Sequence, residues 1–121
     1  MKLLNIKTSY SLGFLAENQA CKYLKVEGYK IVKKNYKTHL GEIDILAEKN
    51  NTLVVVEVKY RGDEESLPYV ILPKQMERIQ NALLLFQQAN ENYNNHYLRF
   101  DAILISKNNL NHIENAWEGI Y

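Results

Sequence analysis

Apolar positions along the chain change period several times. From Ser9 to Glu27 they recur every three or four residues, at Leu12, Leu15, Ala16, Ala20, Tyr23 and Leu24, and Gly28 follows. That spacing predicts a helix with one apolar face and a glycine stop. Tyr29 to Tyr36, Glu42 to Glu48 and the Val-rich Thr52 to Arg61 read as strands, with a short turn over Thr38 to Gly41. Gly62 to Pro73 holds both prolines and an acidic run, so it reads as a loop. The helical period returns from Lys74 to about Asn90, with Met76, Ile79, Leu83 and Phe86 on one face. Tyr97 to Ser106 is a fourth strand, and His112 to Trp117 reads as a short fifth. The order helix, three strands, helix, strand predicts an α/β domain with a small mixed sheet.

The segment from Gly41 to Arg61 concentrates charge in apolar surroundings. Asn50-Asn51 between two strand-like runs suits a two-residue hairpin turn, because Asn tolerates positive φ. With that turn, Ile43 faces Val58, Ile45 faces Val56 and Ala47 faces Val54, all on one core-directed face. The other face then sets Asp44 opposite Glu57 and Glu42 opposite Lys59. Directly opposed Cβ atoms lie roughly 4.5–5.5 Å apart. Two carboxylates that close repel by about 4 kcal/mol at an effective dielectric of 20. A divalent cation, a retained proton or the nearby Lys59 would relieve this. An exposed face with a Glu42–Lys59 pair is the plain alternative. Against it stand the Val and Ile residues on both sides, which mark sheet interior. Interior carboxylates are typically ligands or catalysts. Two oxygen donors suit Mg²⁺ or Mn²⁺, and Lys59 on the same face could orient water or offset phosphate charge.

These residues resemble the PD-(D/E)xK nuclease motif: Asp44, then Glu57-Val58-Lys59 at the end of a Val-rich strand. Gly13, Glu17, Ala20, Leu24, Gly28-Tyr29, Asn35-Tyr36, Gly41-Glu42-Ile43-Asp44, Val56-Glu57-Val58-Lys59 with Arg61, and Arg99-Phe100-Asp101 together resemble the bacterial YraN family across almost the whole chain. The resemblance implies a restriction-endonuclease-like core similar to that of archaeal Holliday-junction resolvases. It also implies that Glu17 completes a metal site with Asp44 and Glu57. Read from the residues alone, Glu17 shares a helix stripe with Gly13, Ala20 and Leu24, yet a surface acid is the favoured reading. Ile43 stands where the formal motif has proline, Ala16 where the family commonly has glycine, and Lys37 where it commonly has arginine. Tyr60 stands where a smaller residue is typical, on the opposite face from Lys59.

Composition narrows the field without naming a substrate. At 121 residues the chain fits one domain, taken as 1–121, and the hydrophobic share of 46% suits an ordinary globular protein. No apolar run approaches the ~20 residues of a membrane span, Met1 to Asn5 lacks signal-peptide character, and Cys21 is the only cysteine. A cytoplasmic location is therefore expected, and a thiolate zinc cluster is excluded. Net charge is only +1. Ten lysines face six acids in residues 1–60, however, and Lys22 to Lys37 carries six lysines against Glu27. That stripe is a phosphate-facing surface or a solvated one.

Other positions carry weaker signals. Arg61, Lys74, Arg78 and Lys37 are candidate phosphate contacts, each with a solvated-surface alternative. Arg99 and Asp101 share a strand face and suit a structural ion pair; His39, His96 and His112 lack metal-ligand spacing; Cys21 fits helix packing. The leading expectation is a Mg²⁺- or Mn²⁺-dependent DNA endonuclease, with branched or single-stranded DNA among its candidate substrates. Asp44, Glu57 and Glu17 would hold metal, and Lys59 would assist water. The alternative is a non-catalytic nucleic-acid-binding module acting with a protein partner such as a helicase. A homodimer fits either reading. A protein-interaction adaptor would rest on Asp63-Glu64-Glu65 and the tyrosines.

Overall fold

The Asn50-Asn51 turn is where local chemistry fixes the fold most directly. Both residues have positive φ, 51° and 60°, as a two-residue hairpin turn of this hand requires. It joins strand β2 (Glu42–Lys49) to β3 (Thr52–Gly62). The ladder pairs Lys49 with Thr52, Ala47 with Val54 and Ile45 with Val56, the register expected from the alternation. The computed structural model describes residues 9–63 and 68–119. Glu64, Glu65 and the N-terminal Met1 to Asn5 lie outside the described residues.

Around this hairpin lie helix α1 (Ser9–Val26), β1 (Lys30–Lys37), helix α2 (Pro73–Ala89), β4 (Tyr97–Ser106) and β5 (Leu110–Trp117). A single 3-10 turn at Glu91–Tyr93 follows α2. The strands form one sheet in chain order, β1 to β5. All neighbours are antiparallel except β3 and β4, which run parallel because α2 crosses between them. Gly28, at φ 92°, ends α1, and the Tyr29 N–H donates back to the Leu24 carbonyl at 2.9 Å.

The sheet is buried on both faces. On one, Ala16, Ala20, Cys21 and Leu24 of α1 pack over Ile45, Ala47, Val54, Val56, Ile103 and Ile105. On the other, Ile79, Ala82, Leu83 and Phe86 of α2 pack over Leu46, Leu53, Val55 and Phe100. Strict alternation in β3 sends Val54 and Val56 one way, Leu53 and Val55 the other. Two expectations are corrected. Leu15 is exposed, because the buried stripe of α1 runs through Ala16 and Ala20 instead. Ile43 packs with the α2 cluster, not beside Ile45. The β2–β3 ladder stops at the Ile45–Val56 pair. Beyond that point β2 is held only by β1, where Asn35 has φ 54°. Freed from β3, the strand turns Ile43 towards α2.

Gly41 fixes how closely α2 approaches that free end. A Cβ there would sit 1.9 Å from the Arg78 carbonyl oxygen. Only glycine lets the helix backbone rest on the start of β2.

Candidate functional site

The parting of β2 from β3 is itself built by an acidic side chain. The Val58 N–H, which faces β2, donates to Asp44 Oδ2 at 2.8 Å instead of to a backbone carbonyl. The two strands separate there and leave a cleft of about 380 Å³ on the α2 side. Asp44 and Glu57 both line it, with Glu42, and Lys74, Gln75 and Arg78 of α2 face them. Ile43, Val55 and Ile79 supply apolar wall. The sequence-derived opposition of Asp44 and Glu57 thus takes the form of two carboxylates flanking one cleft just past the last ladder pair.

Glu57 is 4% exposed. Its Oε1 accepts from Lys59 Nζ at 3.2 Å and from the Gln75 side-chain amide. Its Oε2 is buried without a hydrogen-bond partner. A carboxylate oxygen in that condition is costly unless something else meets it. Lys59 therefore pairs with Glu57, not Glu42. Burial pushes the Asp44 carboxyl up to about 7, and the negative charges of Glu17, Glu57 and Glu42 add to the rise. The Val58 hydrogen bond opposes it. A carboxyl at such a pKa gains from a nearby cation.

Glu17 approaches from the opposite side. It lines a second cavity of about 210 Å³ under α1 with Gly13, Phe14, Lys37, Glu42 and Asp44. Burial raises its pKa, Lys34 and Lys37 lower it, and Glu42 raises it. Asp44 and Glu42 are common to both cavities. Among the described residues, no three His, Cys, Asp or Glu side chains gather into a ready cation cage. The donor set is instead a carboxylate pair with free oxygens on a cleft. That suits Mg²⁺, which is usually held by one or two carboxylates, retained water and substrate phosphate. The unpartnered Glu57 Oε2 is the observation that fits a bound cation.

The four basic candidates separate. Lys74 and Arg78 border the carboxylate cleft, and Lys37 borders the α1-side cavity. Arg61 borders neither; it lines a third cavity with Tyr69, Ser106 and Asn111. Gln75 was not singled out in the sequence. Its signal is a polar residue in phase with Ile79, Ala82 and Phe86 on the buried face of α2. Arg99 and Asp101 form the ion pair expected of them, within a larger network. Asp101 is fully buried and accepts from Arg99 Nε and Nη2, His112 Nε2 and the Asn115 N–H. With Nε2 donating, His112 Nδ1 accepts from the Tyr23 hydroxyl at 2.9 Å. This network ties β4 and β5 to α1, away from the carboxylate cleft.

The class that fold and site define is a mixed five-stranded sheet with a helix on each face and a Glu-x-Lys strand beside a second acidic strand. More narrowly, the chain belongs to the family described as Uncharacterised protein family UPF0102, whose model matches residues 16–105. A UPF0102 protein of Bradyrhizobium diazoefficiens is 38% identical over 102 residues, covering 84% of this chain and 77% of that relative. A Francisella tularensis UPF0102 protein is 38% identical over 113 residues, covering 88% and 93%. Among solved structures, the Holliday junction resolvase Hjc of Archaeoglobus fulgidus superposes with a TM-score of 0.52 at 16% identity, over 81% of this chain and 72% of that one. That likeness is one of fold. No helix among the described residues is long and apolar enough to cross a membrane.

Proposed function

We propose that this chain is a divalent-metal-dependent DNA nuclease that hydrolyses phosphodiester bonds, with branched and single-stranded DNA as the first substrates to try. The observation that carries the reading is Glu57: a buried carboxylate with one oxygen anchored and the other unpartnered, on a cleft shared with Asp44. The resolvase-like fold supports it. Asp44 and Glu57 would hold Mg²⁺ or Mn²⁺, with Glu17 supporting Asp44 from the α1 side. Bound there, the cation supplies charge neutralisation at the phosphate and activation of water.

The chain's own residues have separable tasks. Gln75 and Lys59 hold Oε1 and so fix the rotamer of Glu57. Lys59, partly exposed, is placed to hold the attacking water or to offset charge developing on the phosphate. Lys74 and Arg78 draw the DNA backbone towards a rim that would otherwise repel it. The test is cleavage of a panel of DNA structures with Mg²⁺ and Mn²⁺ by wild type and Asp44→Ala. Cleavage by wild type that Asp44→Ala abolishes is the expected result; cleavage unchanged in the variant would sink the assignment.

A second reading is favoured by the modest charge of +1, which predicts weak binding by the chain alone. In that reading the chain recognises nucleic acid and a partner, such as a helicase, delivers or processes it. Binding without cleavage across the same panel selects it.

A further inference from the structure

Among the described residues, three buried side-chain polar atoms have no hydrogen-bond partner: Glu57 Oε2, the Tyr69 hydroxyl and Trp117 Nε1. All three belong to the face of the sheet that α2 covers in part, since Tyr69 and Trp117 pack in the α2-side cluster and Glu57 alternates with Val55. Buried phenols and indoles normally find partners. Tyr69 lies on the segment leading into α2, its ring 6.4 Å from that of Trp117 with planes 32° apart. Burial, followed by the negative charges of Glu57 and Asp44, raises the Tyr69 pKa, so the hydroxyl stays a proton donor.

A cavity of about 220 Å³ opens beside this ring, shared with Arg61, Ser106 and Asn111. It sits over the ends of β3 and β4 and the start of β5, where Lys59 pairs with Leu104 and Leu104 with Asn111. Glu57 and Lys59 alternate along one face of β3, and Arg61, at the bulge between Tyr60 and Gly62, lines this cavity. At the rise of a strand, Arg61 stands roughly 13 Å beyond Glu57. Arg61 shares the cavity with Tyr69 and Asn111, a cationic and polar setting for a phosphodiester.

We propose that Arg61 and Tyr69 form a second phosphate subsite, which holds the nucleic-acid strand beyond the bond to be cut and leads it over β4 and β5, not over the lysines of β1. This inference rests on the nuclease reading.

The test is DNA binding by fluorescence anisotropy in Ca²⁺, using labelled single-stranded and branched oligonucleotides, for wild type, Tyr69→Phe and Arg61→Gln. Tyr69→Phe should weaken binding roughly 5- to 15-fold, the loss of one hydrogen bond to a charged group. Its thermal midpoint should match or exceed that of wild type, because the hydroxyl satisfies nothing within the fold. A merely structural hydroxyl would do the reverse, lowering the midpoint and sparing affinity. Arg61→Gln should reduce the slope of log affinity against log salt by about one. Wild-type binding that neither substitution alters overturns the subsite and leaves the nuclease reading standing. Absence of any wild-type DNA binding overturns both.

Discussion

Asp44 carries the sharpest consequence of a single residue's placement. Its carboxyl titrates near 7 in the folded chain, against about 3.8 when unfolded. Between those values the native state binds more protons than the unfolded state. Stability without metal should therefore be greatest below about pH 4, as far as this group is concerned, and fall as pH rises through 7. The loss is roughly 2–4 kcal/mol. Urea unfolding at pH 5.5 and pH 8 should show it, and Asp44→Asn should flatten the difference; an equal slope in the variant would count against the burial described for Asp44. Glu57 yields a second expectation. Saturating Mg²⁺ or Mn²⁺ at pH 8 should raise the thermal midpoint of wild type, since a ligand that binds only the native state stabilises it. Glu57→Gln should show little or no rise, as it replaces a ligating charge with an amide of the same shape. Scanning calorimetry with and without metal checks both proteins, and an equal rise in each would move the metal away from Glu57.

At the scale of elements, the site depends on α2 resting against the beginning of β2. Gly41 makes this possible, and Gly41→Ala forces its Cβ against the Arg78 carbonyl. The helix must retreat, at about 1–3 kcal/mol or more for overpacking against backbone. Lys74, Gln75 and Arg78 move with it. Gln75 would lose its grip on Glu57, so cleavage should fall further than stability alone explains. Rates measured well below the variant's melting temperature separate the two effects, and an undiminished rate there would show that α2 does not position Glu57. How far sequence reached is clearest here. The hairpin register was legible because its period-2 pattern and its Asn-Asn turn agree, and local rules decide both. The expected opposition of Asp44 and Glu57 followed from that register, but the ladder ends one pair earlier and the two carboxylates flank a cleft. What lay beyond local pattern was the end of the ladder at Ile45, which depends on Asp44 taking the Val58 N–H. That one bond opens the cleft, swings Ile43 to the α2 side and lets Gln75 reach Glu57. Alternation alone extends the acidic face to Arg61. The loop approach of Tyr69 gives it a separate cavity, and no strand rule foresees that.

Across the whole molecule, the proposed function requires the acids where β2 and β3 part to be neutralised before nearby bases can hold a nucleic acid. Glu17, Glu42, Asp44 and Glu57 gather at the parting strands, while cations approach from α2 on one side and β1 on the other. With a net charge of +1, long-range attraction to DNA would be small, so under the proposed function affinity would come from the few cations near the cleft. Lys74 and Arg78 belong to that group, whereas Lys37 of β1 lies on the α1 side, off the strand path proposed over β4 and β5. Each phosphate contact released should lower the slope of log affinity against log salt by roughly one. The double variant Lys74→Gln, Arg78→Gln should thus lose about two units of slope, and Lys37→Gln should leave the slope unchanged. If DNA binds at the proposed cleft it meets carboxylates as well as cations, so the whole curve should also shift upward when Ca²⁺ is added, and far less so in Glu57→Gln. Anisotropy titrations across a salt series, with and without Ca²⁺, decide it. A slope untouched by the α2 substitutions would place the DNA elsewhere on the molecule. A Ca²⁺ response preserved in Glu57→Gln would detach the cation from the cleft between β2 and β3.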